Sequence, residues 1–196
     1  MLIIRKAKLD DAYHFVELIL ISAPFFPLLF GDNIKKALIT LFQHRSNLFS
    51  FEHVYFAEIS GKVVGMILGY DWKTKKKEDF KTGLLLFKNI GISLLTKLLT
   101  LIKFKMTVGS LAEGEYYISN IAVYPEQRGK GIGRKLISKV EKQAKAKGTK
   151  TMVLDVEKDN INAINFYKKI GYEIMREFSI KLKDKELQFF RMAKKI

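Results

Sequence analysis

The residues best suited to chemistry lie in one loop, Gln127-Arg128-Gly129-Lys130-Gly131-Ile132-Gly133-Arg134. Glycine reaches backbone conformations closed to other residues, so three of them allow amide N–H groups to approach an anion at the start of a helix. A helix N-terminus carries about half a positive charge and several unpaired N–H donors, and Arg128, Lys130 and Arg134 add full charges beside it. A diphosphate is a natural ligand for such a turn. A P-loop fits less well, because it needs Gly-x-x-x-x-Gly-Lys-Ser/Thr where this chain has Gly-x-Gly-x-Gly. The dinucleotide fingerprint is missed by one residue, yet the acidic residue it wants about 20 positions downstream is present as Asp155, so a dinucleotide stays open on the loop alone.

The segment Gln127-Arg128-Gly129-Lys130-Gly131-Ile132-Gly133 resembles the acyl-CoA pyrophosphate loop of the GNAT superfamily of N-acetyltransferases, which reads Arg/Gln-x-x-Gly-x-Gly/Ala. A second stretch, Asn160-x-x-Ala163-Ile164-x-Phe166-Tyr167-x-x-x-Gly171-Tyr172, resembles the Asn-x-x-Ala…Tyr…Gly-Phe segment of the same enzymes and follows the next strand, as in the family. The resemblance is clear over 116–175, is supported by residues 1–70, and fails over 72–114. It implies an α/β fold with a mixed sheet of six or seven strands, the fourth and fifth splayed to admit pantetheine. It also implies acetyl-CoA as cofactor and direct attack of a primary amine on its thioester. Carried over residue by residue, the backbone of Ile121, Ala122 and Val123 bonds the pantetheine arm and polarises the thioester carbonyl. Gln127, Arg128, Gly129, Lys130, Gly131, Ile132, Gly133 and Arg134 hold the pyrophosphate. Asn160 contacts the cofactor arm with Ala163 of the same motif, and Tyr167 is the catalytic residue that serves the sulfur.

Two elementary checks limit that mechanism. A phenol of pKa near 10 protonating a thiolate of pKa near 8.5 runs uphill by roughly 2 kcal/mol, so Tyr167 is expected to donate a hydrogen bond without full transfer. No base is assigned: the fourth-strand position that holds a glutamate in some histone-modifying relatives is Tyr117, and Ser119 and Asn120 are not useful bases. Glu113, Glu115, Asp155 and Glu157 are read as solvated edge charges. Freeing a lysine-type amine at pH 7 costs about 4.6 kcal/mol against about 1 for an α-amine, which favours a low-pKa acceptor. An antibiotic amine, amino acid, polyamine or protein N-terminus would all use the same loop.

The elements that must position these residues follow from local patterns. Residues 2–8 read as a strand, Asp10-Asp11 as an N-cap for a helix over 12–21, and 34–44 as a second helix. Val54–Ile59 and Val63–Tyr70 form a hairpin around Ser60-Gly61-Lys62. Tyr116–Val123 leads into the glycine loop and a helix over 132–147 stopped by Gly148, followed by strand 151–157, helix 163–169 and strands near 172–182 and 187–193. The chain reads as a single domain over 1–196, with an amphipathic helical insertion at about 72–114. The insertion opens with the charge run Lys73–Lys81. Its polar positions 89, 93, 96, 100 and 103 lie opposite Phe87, Ile90, Leu94, Leu98 and Leu101. It has three open readings: a lid on the acceptor pocket, a dimer contact, or a basic face on anionic membrane.

Composition sets the outer bounds. The 196 residues carry 35 Lys+Arg against 20 Asp+Glu and no Cys, with 48% hydrophobic residues, as expected of an ordinary globular domain. Without cysteine there is no disulfide framework, thiolate metal site or cysteine nucleophile. His14, His44 and His53 lack metal-ligand spacing, so no metal is expected. Residues 1–70 hold 7 basic and 6 acidic residues, which leaves 28 basic and 14 acidic for the remainder and makes that part attractive to anions. A non-catalytic module holding nucleic acid or an acidic partner is therefore the rival reading, although no recognition-helix or stacking-platform signature accompanies the charge. The amino end lacks the basic-then-apolar order of an export signal, Leu84–Ile102 is too polar to span a membrane, and a cytoplasmic location is expected.

Overall fold

The computed structural model describes residues 1–31, 33–91, 107–182 and 185–196. In chain order the elements are β1 (Leu2–Lys6), α1 (Ala12–Ser22), α2 (Phe26–Phe30), α3 (Ile34–Gln43), β2 (Val54–Ile59), β3 (Lys62–Asp71) and α4 (Trp72–Ile90). They continue with β4 (Glu115–Val123), α5 (Ile132–Ala146), β5 (Thr151–Glu157), α6 (Ile161–Lys169), β6 (Glu173–Leu182) and β7 (Lys185–Lys195). The strands make one seven-stranded sheet in the order β1-β2-β3-β4-β5-β7-β6. Only β4 and β5 pair in parallel; every other neighbour is antiparallel.

The sheet is covered on both faces. On one face α5 buries Ile132, Leu136, Ile137, Val140 and Ala144, spaced for one side of a helix, against Tyr116, Ile118, Leu154 and Val156 of the central strands. The other face receives α1, α2 and α3 through a core that includes Phe15, Leu18, Ile19, Phe26, Leu38 and Phe42. Phe15 stacks on Phe42 with ring centroids 4.6 Å apart, which ties α1 to α3. Because β4 and β5 are sandwiched between these layers, anything that opens between them connects the two faces.

Several local expectations change. Asp11 does not cap α1: its carboxylate is taken by both Arg5 guanidinium NH groups at 2.7 Å and by the Lys8 amide at 2.7 Å. Burial pushes its pKa up, but the bonds from Arg5 and Lys8 outweigh this and hold it below the usual carboxylate range. The β2–β3 loop is two residues, Ser60 (φ 49°) and Gly61 (φ 76°), because both adopt the left-handed conformation that a tight hairpin turn requires. The charge run at 73–81 is helical from Trp72 onward, started by the Asp71 carboxylate accepting from the Thr74 amide at 2.8 Å. α2, with Pro27 in its first turn, was not expected. Phe87 and Ile90 lie on α4, Phe87 exposed and Ile90 buried, whereas Leu94, Leu98 and Leu101 lie outside the described residues. No described helix is long and apolar enough to cross a membrane.

Candidate active site

The sheet forks at its centre. Parallel pairing of β4 with β5 ends at Ile118 opposite Leu154. Beyond that point β4 continues along β3, as far as Val123 opposite Gly65, and β5 continues along β7, as far as Glu157 opposite Phe189. Two backbone edges are thereby left facing each other without ladder bonds. At the fork the β3–β4 register skips Ser119, a β-bulge that bends β4. The Tyr124 amide donates to the Val64 carbonyl at 3.1 Å, so antiparallel alternation turns the amides of Val123 and Ile121 away from β3 and into the gap. By the same alternation the polar backbone groups of Ala122 face β3, so of the three backbone positions expected to meet a ligand two are available.

The glycine loop closes one end of the gap. Gly129 (φ 78°) and Gly131 (φ 73°) are both left-handed, and a Cβ on either would meet nothing within 4 Å, so the concave side of the loop is open. Gly131 is the N-cap of α5. Gly133 has a different reason to be glycine: a Cβ there would lie 3.3 Å from the Phe166 ring of α6. Gln127, Arg128, Gly129, Gly131, Ile132, Gly133 and Arg134 line the cavity. Lys130 instead donates to Gln127 Oε1 at 2.9 Å on the exposed outer side, and Arg128 Nε donates to the Val123 carbonyl at 3.2 Å.

On the same face, α6 starts at Ile161, two residues earlier than its sequence pattern suggests, because Asn160 caps it by accepting from the Ala163 amide at 3.2 Å. Asn160 Oδ1 is thus engaged within the chain, while Asn160 and Ala163 both line the cavity. Tyr167 is 7% exposed, lines the cavity and packs its ring on Phe166 and Tyr172 at 5.4 and 5.9 Å. Burial alone drives its pKa well above that of a free phenol.

Through the fork the cavity opens onto the opposite face. It is one continuous volume of about 1100 Å³, at the upper limit of single-ligand pockets. Here the expectation that the β5 carboxylates are solvated edge charges fails for Asp155. Its side chain is 1% exposed, with Oδ2 accepting from the Gly109 amide at 2.8 Å and the Tyr117 hydroxyl at 3.2 Å. Oδ1 has no hydrogen-bond partner among the described residues, and Arg191 Nε stands 3.8 Å away. Burial raises the Asp155 pKa despite Arg191 and the two bonds. Glu157 is half-buried, its pKa raised by burial and by Asp159, whereas Glu115 bonds the Ala112 amide at the exposed strand start. A partly buried chain of Ser119, Asn120 and Ser22, linked at 2.9 Å each, joins the bulge to α1. Ser22 is 98 positions from Asn120 in sequence, and no local pattern announces that contact.

The chain and its fold are similar to known proteins. The family model described as Acetyltransferase (GNAT) family matches residues 18–172. An uncharacterised N-acetyltransferase of Bacillus subtilis, YobR, is 38% identical over 74 residues, 38% of this chain and 30% of that protein. The L-ornithine N5-acetyltransferase NATA1 of Arabidopsis thaliana is 36% identical over 70 residues, 36% and 31% of the two chains. These matches thus span about a third of the relatives' lengths. Among solved structures, an N-acetyltransferase from Staphylococcus aureus Mu50 superposes with a TM-score of 0.68 at 21% identity, covering 97% of this chain and 99% of that one. The PaiA N-acetyltransferase of Thermoplasma acidophilum, solved with coenzyme A, gives 0.57 at 16% identity, covering 100% and 99%. Such identities speak for the fold, and the sequence match carries the family: the chain belongs to the Acetyltransferase (GNAT) family.

Proposed function

We propose that the protein transfers the acetyl group of acetyl-CoA directly to a primary amine. The observation that carries this reading is the fork itself: a gap edged by backbone groups outside the sheet ladder, with a cationic glycine loop at one end and an aromatic-walled cavity at the other. The open concave side of Gly129 and Gly131, the start of α5 and the charges of Arg128 and Arg134 suit a diphosphate. The Ile121 and Val123 edge suits the amide-bearing arm that follows it, with Asn160 and Ala163 across the gap.

When bound, the cofactor supplies an activated acyl group whose leaving group is a thiolate. The Val123 N–H, turned into the gap by strand alternation, would donate to the carbonyl oxygen as negative charge grows there. The amine nitrogen forms a bond to the acetyl carbon, the carbon–sulfur bond breaks, and the electron pair leaves with sulfur, which ends with one proton from the amine. Tyr167 hydrogen-bonds the departing sulfur. Its raised pKa widens the gap to a thiol, so it stabilises charge and does not surrender its proton.

The test is thermal unfolding with and without acetyl-CoA, with NAD as control. Ligand at a hundred times its Kd adds about 2.7 kcal/mol, roughly 5–10 °C for a chain of this size. A rise with acetyl-CoA alone is expected; no rise, or a rise with NAD, overturns the reading.

A further inference from the structure

The acceptor end of the cavity has a chemistry of its own. Its walls on the α1–α4 face are aromatic: Phe25, Phe26 and Phe30 of the α2 region, Phe49, and Phe189 of β7 all line it. They form an edge-to-face network, with Phe26 at 5.4 Å from Phe30 and 6.2 Å from Phe49, and Phe25 at 5.9 Å from Phe189. Against this apolar wall stand two carboxylates on the free edge of β5. Glu157 lies directly opposite Phe189 in the β5–β7 register, and Asp155, two residues earlier, shares its face of the sheet and is the first residue past the fork. Glu157 lines the cavity half-buried, with no hydrogen bond or ion pair to its side chain among the described residues. Asp155 keeps one oxygen without a hydrogen bond although its side chain is almost wholly buried.

Resting on the acetyl-transfer reading, we infer that the acceptor is a primary monoamine with an aromatic or bulky apolar body, its ammonium held by Glu157 and its body by the phenylalanine wall. Each rival acceptor meets a specific obstacle. A polyamine would bring a second ammonium to a wall dominated by phenylalanine rings, where a further lining carboxylate, Asp79, is already engaged within the chain. A free amino acid would bring its carboxylate beside Asp155 and Glu157. The cations nearby are already used: Arg191 donates to Ser110, and Lys75 to the Gly109 carbonyl. A peptide would have to pass its backbone along the phenylalanines, and the polar groups of Ser22, Ser119 and Asn120 that also line the cavity already bond one another.

Calorimetric titration of phenethylamine into the full chain saturated with coenzyme A tests the inference, with spermidine, ornithine and an alanine-initiated tetrapeptide as comparators. Phenethylamine is expected to bind at least about tenfold more tightly than any comparator. Glu157→Gln, at a half-exposed position where folding is not at stake, is expected to weaken it by about tenfold or more while leaving coenzyme A affinity unchanged. Tighter binding of a comparator overturns the inference, as does unchanged phenethylamine affinity in Glu157→Gln. The two readings fail separately. Coenzyme A binding without phenethylamine binding refutes only the acceptor class. Phenethylamine binding to a chain that ignores coenzyme A refutes the cofactor.

Discussion

Replacing Gly131 by alanine isolates what the loop's backbone does. Gly131 sits at φ 73°, ψ 8° as the N-cap of α5, and a Cβ there would touch nothing within 4 Å. The whole cost therefore lies in the backbone, not in a clash. Left-handed conformation costs an L-residue roughly 1–2 kcal/mol, and the stiffer unfolded chain returns about 0.4–1 kcal/mol. The net loss is about 1 kcal/mol, a fall in melting temperature of about 2–4 °C at this length. The ligand should suffer more, because a chain that relieves the strain swings the amides out of the cradle. Losing one hydrogen bond to a charged phosphate is worth about 1.5–3 kcal/mol, or about ten- to a hundredfold in coenzyme A affinity by calorimetry. Asparagine tolerates the left-handed region, so Gly131→Asn should keep most of both quantities. Equal damage from alanine and asparagine would refute the backbone explanation, and unchanged coenzyme A affinity in Gly131→Ala would refute the phosphate cradle.

Tyr167→Phe removes a hydroxyl for which no described residue supplies a partner, so stability should hold within about 0.5 kcal/mol while acetyl transfer falls about a hundredfold or more; full activity would sink the leaving-group role. Arg5→Ala strands the Asp11 carboxylate, 8% exposed, and frees Glu58, which Arg5 also bonds at 2.6 Å. Because Arg5 keeps 24% of its side chain in water, the expected loss in chemical denaturation is about 2 kcal/mol, below the 3–5 of a fully buried pair. Stability against pH should show two windows of opposite sign. Asp11, with a lowered pKa, stabilises above about pH 4, and that contribution drains away as pH falls through its folded value. Asp155, with a raised pKa, keeps a proton in the folded chain that the unfolded chain has released, so its contribution declines as pH rises from about 4 to its folded value. Glu157, whose pKa is also raised, adds to the same slope, so urea midpoints across that range should show a shallower second slope in Asp155→Asn; an unchanged slope would assign it to other groups.

What the sequence made legible is what short-range rules govern. The helix of 132–146 reads from Ile132, Leu136, Ile137, Val140 and Ala144 because one buried face repeats at the helical period, and it ends at a left-handed Gly148 as glycine's freedom demands. The Gly-x-Gly-x-Gly run is legible for the same reason: it encodes a backbone shape, and the shape is what a diphosphate needs. The Asp11 misreading shows the limit. An aspartate before an apolar run is a cap by local rules, but Arg5 brings two N–H donors at 2.7 Å and Glu58 holds that guanidinium in place from a neighbouring strand. A charge-assisted bidentate pair outcompetes a single backbone amide.

Asp155 makes the same point where it matters for chemistry. In the segment Thr151-Met-Val-Leu-Asp-Val-Glu157 its alternation with buried residues reads as an outward, solvated carboxylate, since a strand shows every second side chain to one face. That inference assumes one face of the sheet is wet. Here both faces are covered, so the second face is not water but a cavity roofed by the phenylalanines of the α2 region. The charge then meets two competing effects, desolvation that favours the protonated form and the Gly109, Tyr117 and Arg191 contacts that favour the ionised one, and desolvation prevails. A carboxyl in that balance is easier to protonate than a solvated one. The loop motif points to the fork, but the residues that shape the cavity beyond it, Asp155 and the phenylalanines of the α2 region among them, lie outside that motif.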